Sequence, residues 1–150
     1  MKVSACGDDI IVTHALGSCL GISVHDPSAG VGGLLHVMMP QSSINPDKAR
    51  ENPCMFMDTG VPAFFQALYA VGAQKPRMVV KVAGGANTQA GREDHFAIGK
   101  RNYIMLKKLF WKNGILISAE DVGGNSARTM FLYVGSGKVW LSTAGQDKEL

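Results

Sequence analysis

Glycine breaks this chain into short apolar runs. Eighteen of its 150 residues are glycine, which favours tight turns and bent sheets over a helical bundle, since glycine inside a helix costs about 0.5–1 kcal/mol relative to alanine. The runs between the glycines are rich in Ile and Val. Residues 9–14 and 20–25 read as short strands joined by the turn Ala15-Leu16-Gly17-Ser18. The segment Asp26-Pro27-Ser28-Ala29-Gly30 is a hairpin turn by its proline and glycine, so residues 32–38 return as a third, antiparallel strand. Strand 20–25 leaves Cys19 and strand 32–38 comes back, which brings His36 beside Cys19.

Beyond this hairpin the pattern alternates. Residues 40–53 contain prolines and little periodicity, and read as a mobile surface loop. A helix is expected over about 55–71, ending at Gly72 and tolerating Pro62 only in its first turn. A second amphipathic helix is expected over 99–112, with Ile104, Met105, Leu109 and Phe110 inward. Strands are expected at 78–82, 115–119, 128–134 and 138–142, and the tail 146–150 is expected to fray. Gly84-Gly85 and Gly123-Gly124 lack the spacing of a phosphate-binding loop and read as turns that allow close backbone packing, a surface to which Asn125 and Arg128 contribute. Nothing marks a repeat, a linker or a second domain, so residues 1–150 read as one domain.

Composition closes off several classes. A net charge of +3 is too small and dispersed for a nucleic-acid footprint, and the run Lys100, Arg101, Lys107, Lys108, Lys112 reads as a solvated helix face. The apolar runs fall short of a membrane span, and residues 1–9 lack the apolar core of a secretory signal. Cys6, Cys19 and Cys54 are odd in number and irregularly spaced, which suits neither a disulfide framework nor a zinc site. A reducing cytoplasm is the expected compartment.

There a free Cys19 thiol can serve as a nucleophile if a base stands beside it, and His36 is that base. An imidazole that draws the thiol toward thiolate can later protonate a leaving amine. Thr13 can orient the far ring nitrogen, and backbone N–H groups around Gly17 and Ser18 can hold an oxyanion. The alternative stays open on spacing alone: a lone cysteine is often a small buried apolar group, and a strand histidine is often a hydrogen-bonded core residue. His14 faces away from Thr13 on the same strand, and Glu120 and Asp121 face opposite sides of theirs. His25 and His95 are expected in solvent. No metal or organic cofactor is called for.

Ordered blocks along the chain narrow the choice. Thr13-x-x-Leu16-Gly17-Ser18-Cys19, His25-Asp26-Pro27 and Val31-Gly32-Gly33-Leu34-Leu35-His36-Val37-Met38-Met39-Pro40 come first. Met57-Asp58-Thr59, Lys81-Val82-Ala83-Gly84-Gly85-Ala86-Asn87, Ile98-Gly99-Lys100-Arg101-Asn102 and Ala119-Glu120-Asp121-Val122-Gly123-Gly124-Asn125-Ser126-Ala127-Arg128 follow. In that order they resemble the CheD family, the chemoreceptor glutamine deamidases of bacterial chemotaxis. His14-Ala15 and Pro62 depart from the family's pattern.

The resemblance implies an α+β fold of layered mixed sheets flanked by two main helices, similar to the catalytic domain of the cytotoxic necrotizing factor toxins. It implies a Cys-His-Thr triad on Cys19, His36 and Thr13, and hydrolysis of receptor glutamine side chains to glutamate through a thioester. The partners implied are the cytoplasmic helices of chemoreceptors and a CheC-type phosphatase, whose regulation is the alternative role.

Overall fold

The computed structural model describes residues 1–88 and 97–150, and the mixed α+β expectation holds. Strands β1 (Lys2–Ser4), β2 (Ile10–Leu16), β3 (Leu20–Asp26) and β4 (Val31–Val37) come first. A short helix α1 (Pro46–Glu51) and a long one, α2 (Met57–Ala70), lead into β5 (Val79–Gly84). Helix α3 (Ile98–Lys112) precedes β6 (Ala119–Val122), β7 (Arg128–Tyr133), β8 (Val139–Thr143) and β9 (Gln146–Glu149). One sheet has the order β1-β4-β3-β5-β6, with β5 and β6 parallel; the other has the order β2-β7-β8-β9. Even-numbered residues of β3 and odd-numbered residues of β4 face a core shared with α2 and α3, built around Leu20, Ile22, Leu35, Phe64 and Phe110. Leu34 on the opposite face meets Leu16, Met130 and Leu132 in a second core between the sheets. The hairpin sheet is therefore buried on both sides, and every residue of β3 is buried, Ser23, His25 and Asp26 included.

Several expectations change. The turn after residue 14 does not join strands of one sheet: β2 continues to Leu16 through a bulge at Ala15, whose φ is +57°, and the chain then crosses to the other sheet. Residues 40–53 hold α1 and short helical turns, capped by Asn45 and tied down by Asp58, which accepts from the Ser42 N–H and hydroxyl at 2.8 Å. Pro62 lies in the second turn of α2, on its exposed face, where solvent can take the carbonyl that its missing N–H leaves open. The tail is a strand, β9, paired with β8. Residues 115–117 form no strand: the Ile115 N–H closes α3 on the Phe110 carbonyl, and pairing with β5 starts at Ala119. In α3 the buried residues are Gly99, Asn102, Leu106 and Phe110, and Ile104 is exposed. Its five cations do lie in solvent.

Candidate active site

Three elements converge at the end of the crevice between the sheets. Thr13 stands on β2, on the same side as the buried Ile11. Across the crevice, His36 projects from β4 on the side of Leu34, which packs in the inter-sheet core. Thr13 Oγ1 and His36 Nδ1 are hydrogen-bonded at 2.8 Å, so the contact joins the two sheets. Cys19 ends the turn that carries the chain from β2 to β3, half-buried and packed against the same core. His36 pairs with Gly21, which places Cys19 two residues along on the same face of the ladder. Diagonal neighbours of this kind lie about 7–8 Å apart at the backbone, within reach of a ring. His36 Nε2 is buried with no hydrogen-bond partner among the described residues.

Two glycines make room. A Cβ on Gly21, opposite His36, would sit 2.7 Å from Leu16 Cδ1 and 3.0 Å from Met130 Sδ, so only glycine fits there while both sheets stay packed. Gly84 has a φ of +112°, and a Cβ there would overlap the Cys19 carbonyl. The turn itself is held by its carbonyls. Gly17 accepts from the Ala86 N–H at 2.7 Å, Ser18 from Asn102 Nδ2 at 3.0 Å, and Cys19 from the Gly85 N–H at 2.8 Å. The expectation that Gly84-Gly85 allows close packing around Cys19 thus holds.

The electrostatics differ from the expectation of an imidazole-stabilised thiolate. Burial pushes the Cys19 thiol up, against the opposing pull of its own backbone N–H and the Ser18 hydroxyl. Burial also lowers the His36 imidazole, and the positive charge of the chain's N-terminus adds to this. Both shifts favour a neutral thiol beside a neutral ring in the resting site, because an apolar crevice penalises each charged form before the two can pair.

Of the remaining candidates, His14 faces the exposed side of β2 near Thr129, and Cys6 and Cys54 are free thiols outside the crevice. His25 is a correction: it is buried, because β3 is a central strand covered on both faces. His95 falls outside the described residues. Glu120 accepts from the Tyr103 hydroxyl while Asp121 faces the other way, bonded to Arg128 and Lys148. Arg128 and Asn125 line a polar cavity of about 530 Å³ beyond β7 rather than the Cys19 crevice. Among the described residues no cluster of three His, Cys, Asp or Glu could hold a metal, and no helix is long and apolar enough to cross a membrane. Sequence reasoning missed Asn102. It is fully buried and donates also to the Met38 carbonyl at 2.9 Å; its traces in the sequence are its place in the Ile98–Asn102 block and a polar residue where the period of α3 calls for an apolar one.

The sequence model of a family described as CheD chemotactic sensory transduction matches residues 38–143. That match begins after Thr13, Cys19 and His36, but curated relatives align over nearly the whole chain. A Solibacter usitatus protein named "Probable chemoreceptor glutamine deamidase CheD" is 46% identical across 99% of this chain and 88% of its own. A Syntrophus aciditrophicus protein named "Probable chemoreceptor glutamine deamidase CheD 1" is 49% identical across 96% of this chain and 89% of its own. A Pyrococcus abyssi relative bearing the first of these names is 40% identical across 89% and 81%.

Proposed function

The chain belongs to the CheD family, and from that membership we propose that it hydrolyses selected glutamine side chains on the cytoplasmic helices of chemoreceptors, with Cys19 as nucleophile. The observation that carries the reading is the 2.8 Å contact between Thr13 and His36, made across two sheets. A ring that donates from Nδ1 to the Thr13 oxygen keeps its Nε2 lone pair for the thiol, which is what a general base requires.

In the proposed reaction His36 Nε2 takes the thiol proton as the Cys19 sulfur bonds to the glutamine Cδ. The carbonyl oxygen becomes an oxyanion, held by the Ser18 and Cys19 N–H groups of the turn. Contrary to expectation the Gly17 N–H is not free for this, since it donates to the Ala15 carbonyl at 2.8 Å. The imidazolium returns its proton to the amide nitrogen, the C–N bond breaks and ammonia leaves a thioester. His36 then deprotonates a water that attacks this thioester. The C–S bond breaks, the thiol recovers the proton, and glutamate is released. A neutral resting pair suits this cycle, since the charged pair forms only as the sulfur attacks.

Cys19→Ala tests it on a glutamine-bearing receptor peptide, followed by ammonia release and by the mass change from amide to acid. Both signals are expected to vanish; unchanged turnover overturns the reading. Regulation of a CheC-type phosphatase needs no thiol, so phosphatase activation by Cys19→Ala measures that second role separately.

A further inference from the structure

Two of the three clamps on the nucleophile turn come from the backbone and belong to any chain with this fold: the N–H groups of Gly85 and Ala86. The middle clamp is a side chain. Asn102 rises from α3, fully buried, and gives one amide hydrogen to the Ser18 carbonyl at 3.0 Å and the other to the Met38 carbonyl at 2.9 Å. Both partners are carbonyls that can only accept, so the amide orientation is fixed by chemistry, with nitrogen toward the turn. Its oxygen is left buried with no hydrogen-bond partner among the described residues. A leucine would fill an interior helix position without that cost, so the retained amide points to a task.

We propose that Asn102 is a positioning residue for oxyanion stabilisation: by holding the Ser18 carbonyl toward α3 it turns the N–H of the same peptide unit, that of Cys19, into the crevice where the substrate oxygen develops charge. The peptide bond is planar and trans, so its C=O and N–H point in opposite directions. Fixing one fixes the other. Asn102 is on the helix side of the sheet, and the thiol packs on the opposite side, in the inter-sheet core. In agreement, the Cys19 N–H reaches its own sulfur and favours the thiolate there. The second bond, to Met38, grips the chain two residues past His36, so one amide sets the turn bearing the nucleophile against the strand bearing the base. This inference rests on the deamidase reading and names a residue that touches neither substrate nor sulfur.

The test separates acyl chemistry from thiol reactivity. Alkylation of Cys19 by iodoacetamide needs a thiolate and a clear approach but no oxyanion site, whereas amide attack needs all three. In Asn102→Ala, kcat on the receptor peptide is expected to fall about 10²-fold, the usual loss when one oxyanion donor is removed, with KM little changed. The Cys19 alkylation rate, read by peptide mass mapping, is expected to fall far less, by no more than about tenfold, since the same N–H is only one of the groups that act on the sulfur. Unchanged kcat overturns the proposal, and so does an alkylation rate that falls in step with kcat, because that marks general disorder of the turn. Should Asn102→Ala not fold, Asn102→Ser keeps one donor and gives the same comparison with a smaller fall. A wild-type chain that releases no ammonia sinks the deamidase reading itself, whereas an active wild type with an equally active variant sinks only the role of Asn102.

Discussion

Replacing Thr13 with valine keeps the volume of the side chain and removes the hydroxyl that meets His36 Nδ1 at 2.8 Å. Valine is as stiff as threonine on a strand, so β2 should keep its pairing with β7. The loss then falls on the ring. Its Nε2 already lacks a partner, and Thr13→Val leaves Nδ1 without one as well, at about 1–3 kcal/mol for an unsatisfied buried group. For a chain of this size that lowers Tm by roughly 2–12 °C. In the proposed tautomer the hydroxyl accepts from Nδ1–H and leaves Nε2 basic, so part of the penalty reappears in the barrier. About 1.4 kcal/mol there is a tenfold loss, and kcat is expected to drop about 10- to 100-fold. KM should hold, since Thr13 contacts the ring rather than substrate. Thr13→Ser, which retains the oxygen, should recover most of the rate. Ammonia release measured against peptide concentration decides it. A Thr13→Val enzyme with wild-type kcat, or one in which only KM moves, refutes the assignment of Thr13 as the group that orients His36.

Asp26 is fully buried and bonded to Arg77 and to the N–H groups of Ser28, Ala29 and Gln74. Arg77→Met should cost toward the lower end of about 3–5 kcal/mol in urea unfolding, because the arginine keeps 35% of its side chain in solvent. Arg77 before all else, then the Gln74 and Ala29 amides, hold the Asp26 carboxyl well below the usual range despite its burial. Its contribution is therefore complete above the unfolded carboxylate pKa of about 3.9 and is lost as pH falls below it, a loss that Arg77→Met should largely abolish. Gly84→Ala should cost clearly more stability than Gly30→Ala. Both have positive φ, about 1–3 kcal/mol of strain in alanine, but the added Cβ strikes the Cys19 carbonyl in the first and open space in the second. Equal losses would show that the close approach to Cys19 is unimportant. In the free protein, Cys19 alkylation should climb with pH through and beyond the ordinary thiol range, as burial holds the thiol up; a plateau already present near neutral pH would reveal a thiolate–imidazolium pair instead.

What the sequence disclosed was the part governed by local chemistry. The turn at residues 26–30 sets the β3–β4 hairpin, and the hairpin sets which residues oppose one another, so the place of His36 opposite Gly21, two residues past Cys19, was legible by counting. The transfer of the chain between sheets at residues 17–19 did not follow, because a bulge at Ala15 leaves no compositional mark. The place of His25 at the opening of a turn predicts a solvated ring, yet partners on both edges and cover on both faces of β3 bury it. The phase of α3 departs from expectation for a related reason. Ranking residues by hydrophobicity puts Ile104 inside, whereas the helix is turned by Gly99, whose absent side chain admits the Gly85 backbone, and by Asn102, whose amide finds two carbonyls. Hydrogen bonds to distant backbone outweighed the apolar period, and a period is all that a single sequence exposes.

The reading that changed most is electrostatic, and it bears on how such a thiol is controlled. A standing ion pair would make Cys19 nucleophilic at all times, and open to oxidation, since the thiolate is also the form that oxidants attack. The crevice opposes that: burial raises the thiol and lowers the imidazole together. Acting against it at the sulfur are its own N–H and the Ser18 hydroxyl, and the first of these is the donor through which Asn102 is inferred to act. Donors set for negative charge gain most when a substrate oxygen supplies it in a site closed to water. Under the proposed reaction, reactivity is then conditional on the substrate amide, and the strands that bury Cys19 would restrain the proposed nucleophile as much as the turn presents it.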